Sequence, residues 1–238
     1  MFGIGTIVNT ISIVVAGFFG AFIGRFINKS IQDGLRKACG VATIFIGIAG
    51  GMEGMLTIKD GSLISGKSML IVACLALGTL IGEIINIEKF FENFGEFLKK
   101  KTGNSKDSNF VNAFLTATFT ICIGAMAVVG AIQDGLLNNP TTLYVKSVLD
   151  FVMILVLTSS MGKGAAFSAI PVFIFQGSIV LLSRFILGMM TTEAIAYLSL
   201  IGSILIFCVG INLIWDRTIR IANMLPSLVL GVLAAYII

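Results

Sequence analysis

Apolar residues run along this chain in long unbroken blocks, and short polar connections separate them. Eight such stretches stand at 2–27, 38–57, 65–87, 109–133, 143–161, 165–189, 194–214 and 219–238. Crossing a hydrocarbon core of roughly 30 Å takes about 20 helical residues, so each block predicts a membrane-spanning helix. The blocks are continuous in Leu, Ile, Val and Phe and do not alternate with polar residues, which selects helices over a barrel. The expected fold is all-α: a polytopic transmembrane bundle of about eight helices forming one domain over 1–238.

Composition supports this. The chain is 57% hydrophobic and 12% charged, with mean hydropathy +1.03, too little polar surface for a soluble globule of its size. The longest polar interval runs from Glu88 to Asn109. Within it Phe90, Phe91, Phe94, Phe97 and Leu98 recur at helical spacing among Lys89, Glu92, Glu96 and Lys99, which predicts an amphipathic interfacial helix over 88–101. Met1-Phe2-Gly3 carries no basic stretch ahead of a first block too long for a secretory signal, so that block reads as a retained helix.

Charge then sets a topology. Cytoplasmic loops collect Lys and Arg, and with the N-terminus outside, the inner connections hold Arg25, Lys29, Arg36, Lys37, Lys89, Lys99, Lys100, Lys101, Lys106, Lys163, Arg217 and Arg220. Only Lys59, Lys67, Lys146 and Arg184 fall outside. Both termini are therefore expected outside. The net charge of +4 and pI near 8.9 follow from this bias, and no basic groove with stacked aromatics suggests nucleic acid. The lipid bilayer is the expected partner, and self-association into a homo-oligomer is compatible with the pattern.

The same inventory limits the chemistry. The chain has no histidine, and Cys39, Cys74, Cys122 and Cys208 lie singly inside apolar blocks. Neither disulfides nor a metal site is expected, no cofactor is implied, and the chain does not read as an enzyme. Polar residues at membrane depth cost a few kcal/mol each and ordinarily face a cavity or a partner, so they are the candidate pathway. They concentrate between Gln133 and Gln176. Gln133 and Asp134 close the fourth block, and Lys146 and Asp150 stand one helical turn apart in the fifth. Ser159, Ser160, Gly162 and Gly164 then form a small-residue break that frees backbone groups able to meet an ion or polar solute. An ordinary tight turn anchored by Lys163 is the plainer reading of that break. Asn9, Glu53 and Asn212 are isolated candidates; Asn9 and Asn212 read equally well as interhelical hydrogen-bond partners.

Short internal echoes suggest duplication. Gly24-Arg25-Phe26-Ile27, Ile46-Gly47-Ile48 and Leu77-Gly78 are echoed by Ser183-Arg184-Phe185-Ile186, Val209-Gly210-Ile211 and Leu230-Gly231. Segments one to three and six to eight are thereby expected to form an inverted repeat, with short or broken helices around 143–189. Lys67-Ser68 and Lys146-Ser147 link segments three and five. Ile31-Gln32-Asp33-Gly34-Leu35 repeats as Ile132-Gln133-Asp134-Gly135-Leu136, although Asp-Gly is also a common helix stop.

The runs Gly130-Ala131-Ile132-Gln133-Asp134-Gly135-Leu136, Lys146-Ser147-Val148-Leu149-Asp150, Gly162-Lys163-Gly164, Ser168-Ala169-Ile170-Pro171-Val172 and Gln176-Gly177, with the early Gly5-Thr6-Ile7-Val8-Asn9, resemble the YqgA/YdfK-like family of uncharacterised bacterial inner-membrane proteins. The resemblance implies a multipass bundle in a bacterial cytoplasmic membrane and carries no activity. From the polar cluster, the expected function is a transporter or channel for an unknown small solute or ion. A structural or regulatory membrane protein with no transport activity is the alternative.

Overall fold

The structure is a computed structural model, and it describes residues 3–59, 61–123, 125–187, 190–215 and 218–237, without the side chains of Ala125, Arg184, Ile186 and Leu187. Arg217 and the Arg184 side chain, both counted in the charge bias, lie outside that description. In chain order the elements are α1 (Ile4–Ile23), α2 (Lys29–Met55), strands β1 (Leu56–Lys59) and β2 (Ser62–Ser65), α3 (Ser68–Ile85), α4 (Ile87–Lys101), α5 (Phe110–Cys122) and α6 (Ala125–Leu137). There follow α7 (Thr141–Met161), a 3-10 turn (Lys163–Ser168), α8 (Ala169–Leu187), α9 (Thr192–Trp215), α10 (Ile221–Met224) and α11 (Pro226–Ala234).

The helices that can cross a bilayer number fewer than the apolar blocks. Six are long and apolar enough, and α5 with α6 makes a seventh only as a bent pair whose axes turn by 62°. Ile123 ends α5 in extended backbone, φ −83° and ψ 118°. A hydropathy window counts residues along the contour and is blind to such a turn, so the expected straight fourth span is corrected. The eighth block shrinks to the short apolar stretch Ile221–Ala234, which at 1.5 Å per residue rises only about 21 Å. The second block is longer than expected: α2 begins at Lys29, capped by Asn28, whose side chain accepts from the Ile31 N–H at 2.9 Å. Its 27 residues reach about 40 Å, so its first turns can carry Asp33, Arg36 and Lys37 beyond the apolar layer.

One departure from an all-helical fold is a small antiparallel hairpin, in which Leu56 pairs with Ser65 and Lys59 with Ser62. It replaces a plain connection between α2 and α3. The amphipathic helix forms as α4, and it docks firmly. Phe91 meets Phe119 with ring centroids 5.3 Å apart, Phe94 meets Phe114 at 5.9 Å, and the Glu88 N–H donates to Asn223 Oδ1 at 2.7 Å while Glu88 Oε2 accepts from the Ala222 N–H at 3.1 Å. Glu88 itself is buried.

The core gathers around α5, which is buried on nearly every side, as expected of a helix apolar all round. Phe110, Phe114, Ile13, Ile154, Leu157 and Leu205 belong to one cluster there. The seam between α2 and α9 is built on small residues. A Cβ at Gly47 would lie 2.7 Å from Phe207 Cα, and one at Gly210 would lie 2.7 Å from the Ile44 backbone nitrogen, so only glycine lets these backbones approach so closely.

Candidate functional site

Three helices bring polar side chains together halfway along α7. Asp150 is the tenth of the 21 residues of that helix, about 14 Å from its start, and hence at the depth where hydration is least available. Lys146, one turn earlier, donates to Asp150 Oδ1 at 2.7 Å and Oδ2 at 2.8 Å. Asn9 of α1 donates from one Nδ2 to Asp150 Oδ2 at 3.0 Å and to Gln176 Oε1 of α8 at 3.3 Å. All four side chains are buried, Asn9 completely. Two charges this deep require a close partner and further hydrogen bonds, and each carboxylate oxygen of Asp150 has one.

A second buried carboxylate packs on the same helix, α1. Asp134 of α6 is fully buried, and its Oδ2 accepts from the Thr6 N–H at 3.2 Å. A Cβ at Gly5 would stand 3.0 Å from that same oxygen, so the first turn of α1 lies directly on the carboxylate. Three buried oxygens here have no hydrogen-bond partner: Thr6 Oγ1, Asn9 Oδ1 and Asp134 Oδ1. Gln133 is half-buried and occupied locally, since its Oε1 accepts from Thr142 Oγ1 at 2.6 Å. The hydroxyl of Ser12 donates to the Ser147 carbonyl at 2.8 Å, which ties α1 to α7 beside the network.

The predicted break is present, and its parts do different things. Gly162 takes φ 108°, a region L side chains rarely adopt, and it ends α7 ahead of the 3-10 turn. The Ser159 and Ser160 hydroxyls donate back to the Val156 carbonyl at 2.9 and 2.8 Å, so they serve the helix end. Gly164 is a packing position, because a Cβ there would collide with the Phe110 carbonyl. Around this end of the bundle lies a polar cavity of about 250 Å³ lined by Arg25, Gln32, Asp107, Asn109, Ser159 and Lys163. A neighbouring one of about 320 Å³ shares Gln32, Asn109 and Ser160 and adds Lys29, Asp33 and Arg36. Neither is lined by Lys146 or Asp150.

Thr158 lines the first cavity and is itself buried, its hydroxyl without a partner. Asp150, Ile154 and Thr158 are successive turns on one face of α7. The polar network and the cavity are thus separated by about 12 Å, and the fully buried Ile154 stands between them, in the same cluster as Ile13 of α1.

Two sequence candidates stand apart from this network. Glu53 is exposed near the end of α2. Asn212 staples the chain after α9: its Nδ2 donates to the Ile219 carbonyl at 2.7 Å and its Oδ1 accepts from the Ile219 N–H at 2.9 Å. The two Gln-Asp-Gly echoes also differ in setting. Asp33 is paired with Arg36 and Lys37 and partly exposed, whereas Asp134 is interior. Likewise Lys67 precedes α3 and donates to the Gly54 carbonyl at 3.0 Å, while Lys146 lies well inside α7. Thr6 and Glu88 are the polar residues that sequence reasoning passed over. A threonine in an apolar helix gives no signal of its own, and in sequence Glu88 marks only the start of the polar interval.

The family described as "Protein of unknown function (DUF554)" matches residues 4–236. The chain is similar to "Uncharacterized membrane protein YdfK" of Bacillus subtilis (strain 168), 29% identical over 234 residues that cover 98% of this chain and 96% of the relative. It is also similar to "Uncharacterized protein YqgA" of Escherichia coli (strain K12), 26% identical over 235 residues that cover 96% of this chain and 94% of the relative. No solved structure matches the chain.

Proposed function

We propose that this chain, which belongs to the DUF554 family, moves a small solute or ion across the bacterial cytoplasmic membrane. One observation carries the reading: the pair of Lys146 and Asp150, joined by Asn9 and Gln176 from two other helices, sits at mid-depth, where a purely structural contact is more cheaply made from apolar residues. The polar cavity at the Gly162 end supplies a wet approach to within two helical turns of that network.

The inverted repeat belongs to the same proposal. Support comes from three antiparallel packings between the segments the echoes match. In α1 and α8, Asn9 meets Gln176; in α2 and α9, Gly47 meets Phe207; in α3 and α11, Gly78 meets Ser227. Each element packs against its own counterpart, as it does when an in-plane two-fold axis runs between them. In this arrangement the closed network is one state of a carrier. Rocking one triplet against the other opens it to either side, with both termini outside. Catalysis has no part in it.

The structural or regulatory reading is favoured by a different observation: neither polar cavity touches Lys146 or Asp150. The two readings part in proteoliposomes. Purified protein loaded against a panel of ions and small metabolites should show counterflow of at least one of them, and Asp150→Asn should abolish that flux in a protein that still folds. A folded wild-type protein without flux for any member of a broad panel, or flux untouched by Asp150→Asn, removes the transport reading.

A further inference from the structure

Several buried polar groups in the spans have an atom without a partner, and those near the ion pair are all oxygens. Asn9 spends its amide on Asp150 and Gln176, which fixes the orientation of the carboxamide and leaves Oδ1 as a bare acceptor. Asp134 Oδ1 is a bare acceptor as well, and Thr6 Oγ1 completes the set. The three residues are 0%, 0% and 2% exposed. Thr6 and Asn9 are three residues apart on the buried face of α1 and so neighbours along it, while the Thr6 N–H holds the Asp134 carboxylate against that face at 3.2 Å. Thr6 thus touches Asp134 through its backbone, and Asn9 stands one turn further along the same buried face. Leaving a buried acceptor unpaired is unfavourable, and a bound donor or cation relieves it.

Charge balance narrows the occupant. Lys146 cancels Asp150, while Asp134 receives only the Thr6 amide, and no basic side chain among the described residues pairs with it. An ionised carboxylate at Asp134 has no counter-charge of its own, so it is stable there only when a cation shares the place that a proton would otherwise take. A divalent ion would overshoot by one, and Mg²⁺ in addition gives up its water reluctantly. No group of three His, Cys, Asp or Glu side chains gathers among the described residues, so the donors are hard neutral oxygens around a single carboxylate, a set suited to an alkali cation.

We propose that Thr6 Oγ1, Asn9 Oδ1 and Asp134 bind one dehydrated monovalent cation of the size of sodium, next to the pair of Lys146 and Asp150. The site deepens the transport reading by naming its coupling ion, and it rests on that reading only for the ion's movement, since binding is measurable without flux. Because Asn9 bonds both to Asp150 and, in this assignment, to the cation, filling the site stiffens the contact of α1 with α7 and α8. Cation binding and the closed network are thereby coupled.

The test uses purified full-length protein in detergent at constant ionic strength, with choline chloride exchanged for sodium chloride. The midpoint of thermal unfolding should rise with sodium and keep rising in proportion to the logarithm of its concentration above the dissociation constant. Radioactive sodium should bind at about one ion per chain. Asp134→Asn and Thr6→Val should remove or greatly weaken both effects, and Thr6→Ser should keep them. If Asp134→Asn does not fold, the Val and Ser variants at Thr6 decide alone. Equal stabilisation by choline, or sodium stabilisation unchanged in Thr6→Val, overturns the site. So does stabilisation by acid with no dependence on the cation, which would give the place to a proton. Sodium binding without flux refutes transport and leaves the site standing; flux indifferent to sodium, with no binding, does the reverse.

Discussion

Asn9 donates to Asp150 Oδ2 at 3.0 Å across 141 residues of chain, and this bond makes one structure of the first helix and the middle of the seventh. The same amide reaches Gln176, so three helices meet at one side chain. Asn9 thus holds a carboxylate already paired to Lys146 and aligns the pair with the α1 face, where Thr6 and Asp134 lie.

Removing one member of a buried pair should reveal how far the pair is structural. Asp150→Leu leaves Lys146 buried with no counter-charge, an arrangement that costs about 3–5 kcal/mol, and a much lower unfolding midpoint in detergent is expected. Lys146→Met together with Asp150→Leu should recover most of that loss, because two apolar residues of similar volume need no compensation. Flux in proteoliposomes should stay absent in the double variant. Recovery of stability along with flux would make the pair a mere packing element.

The α2 and α9 seam makes a prediction with an internal control. Gly47→Ala puts a Cβ against the Phe207 backbone and should destabilise by about 1–3 kcal/mol, as overpacking does. A Cβ at Gly51, one turn further along α2, meets nothing within 4 Å. There Gly51→Ala should be neutral or stabilise by up to about 1 kcal/mol through helix propensity alone. Unfolding of the two variants side by side checks the seam; equal effects would mean that α2 and α9 pack differently.

Orientation can be read chemically. Leu63 is exposed in the hairpin and Ser105 is exposed beyond α4, on opposite sides in the charge-derived topology. In a chain whose four native cysteines are replaced, a membrane-impermeant thiol reagent should label Leu63→Cys in intact cells, and should label Ser105→Cys only after the membrane is opened. The opposite pattern would put the N-terminus in the cytoplasm.

How much of this was legible in sequence depended on whether a property is local. The spans α1, α3, α7 and α9 follow from apolar length, and the pairing of Lys146 with Asp150 follows from a spacing of four. The break at Gly162 was visible because small residues cluster there. The bend after Cys122 was not, since Ile123 is apolar like its neighbours. The choice among polar candidates was equally hidden: Glu53 and Asn212 are of the same residue types as Asp150 and Asn9, and only the direction each faces separates a network member from an exposed acid or a loop staple. Thr6 entered through its backbone N–H, which no sequence pattern reports.

Ile154 offers the sharpest test of the route. It is fully buried and lies one turn from Asp150 and one from Thr158, a residue of the polar cavity's wall. Truncation to Ala should cost about 2–5 kcal/mol through lost burial and the space left behind, and if the side chain is the barrier between network and cavity, that space joins them. Proteoliposomes carrying Ile154→Ala should therefore leak the transported ion without coupling. Leu213→Ala supplies the comparison, because Leu213 is equally buried in the same cluster but sits on α9; it should lose similar stability with no leak. A leak in both variants would be a consequence of weakened packing, and a leak in neither would place the barrier elsewhere than at Ile154.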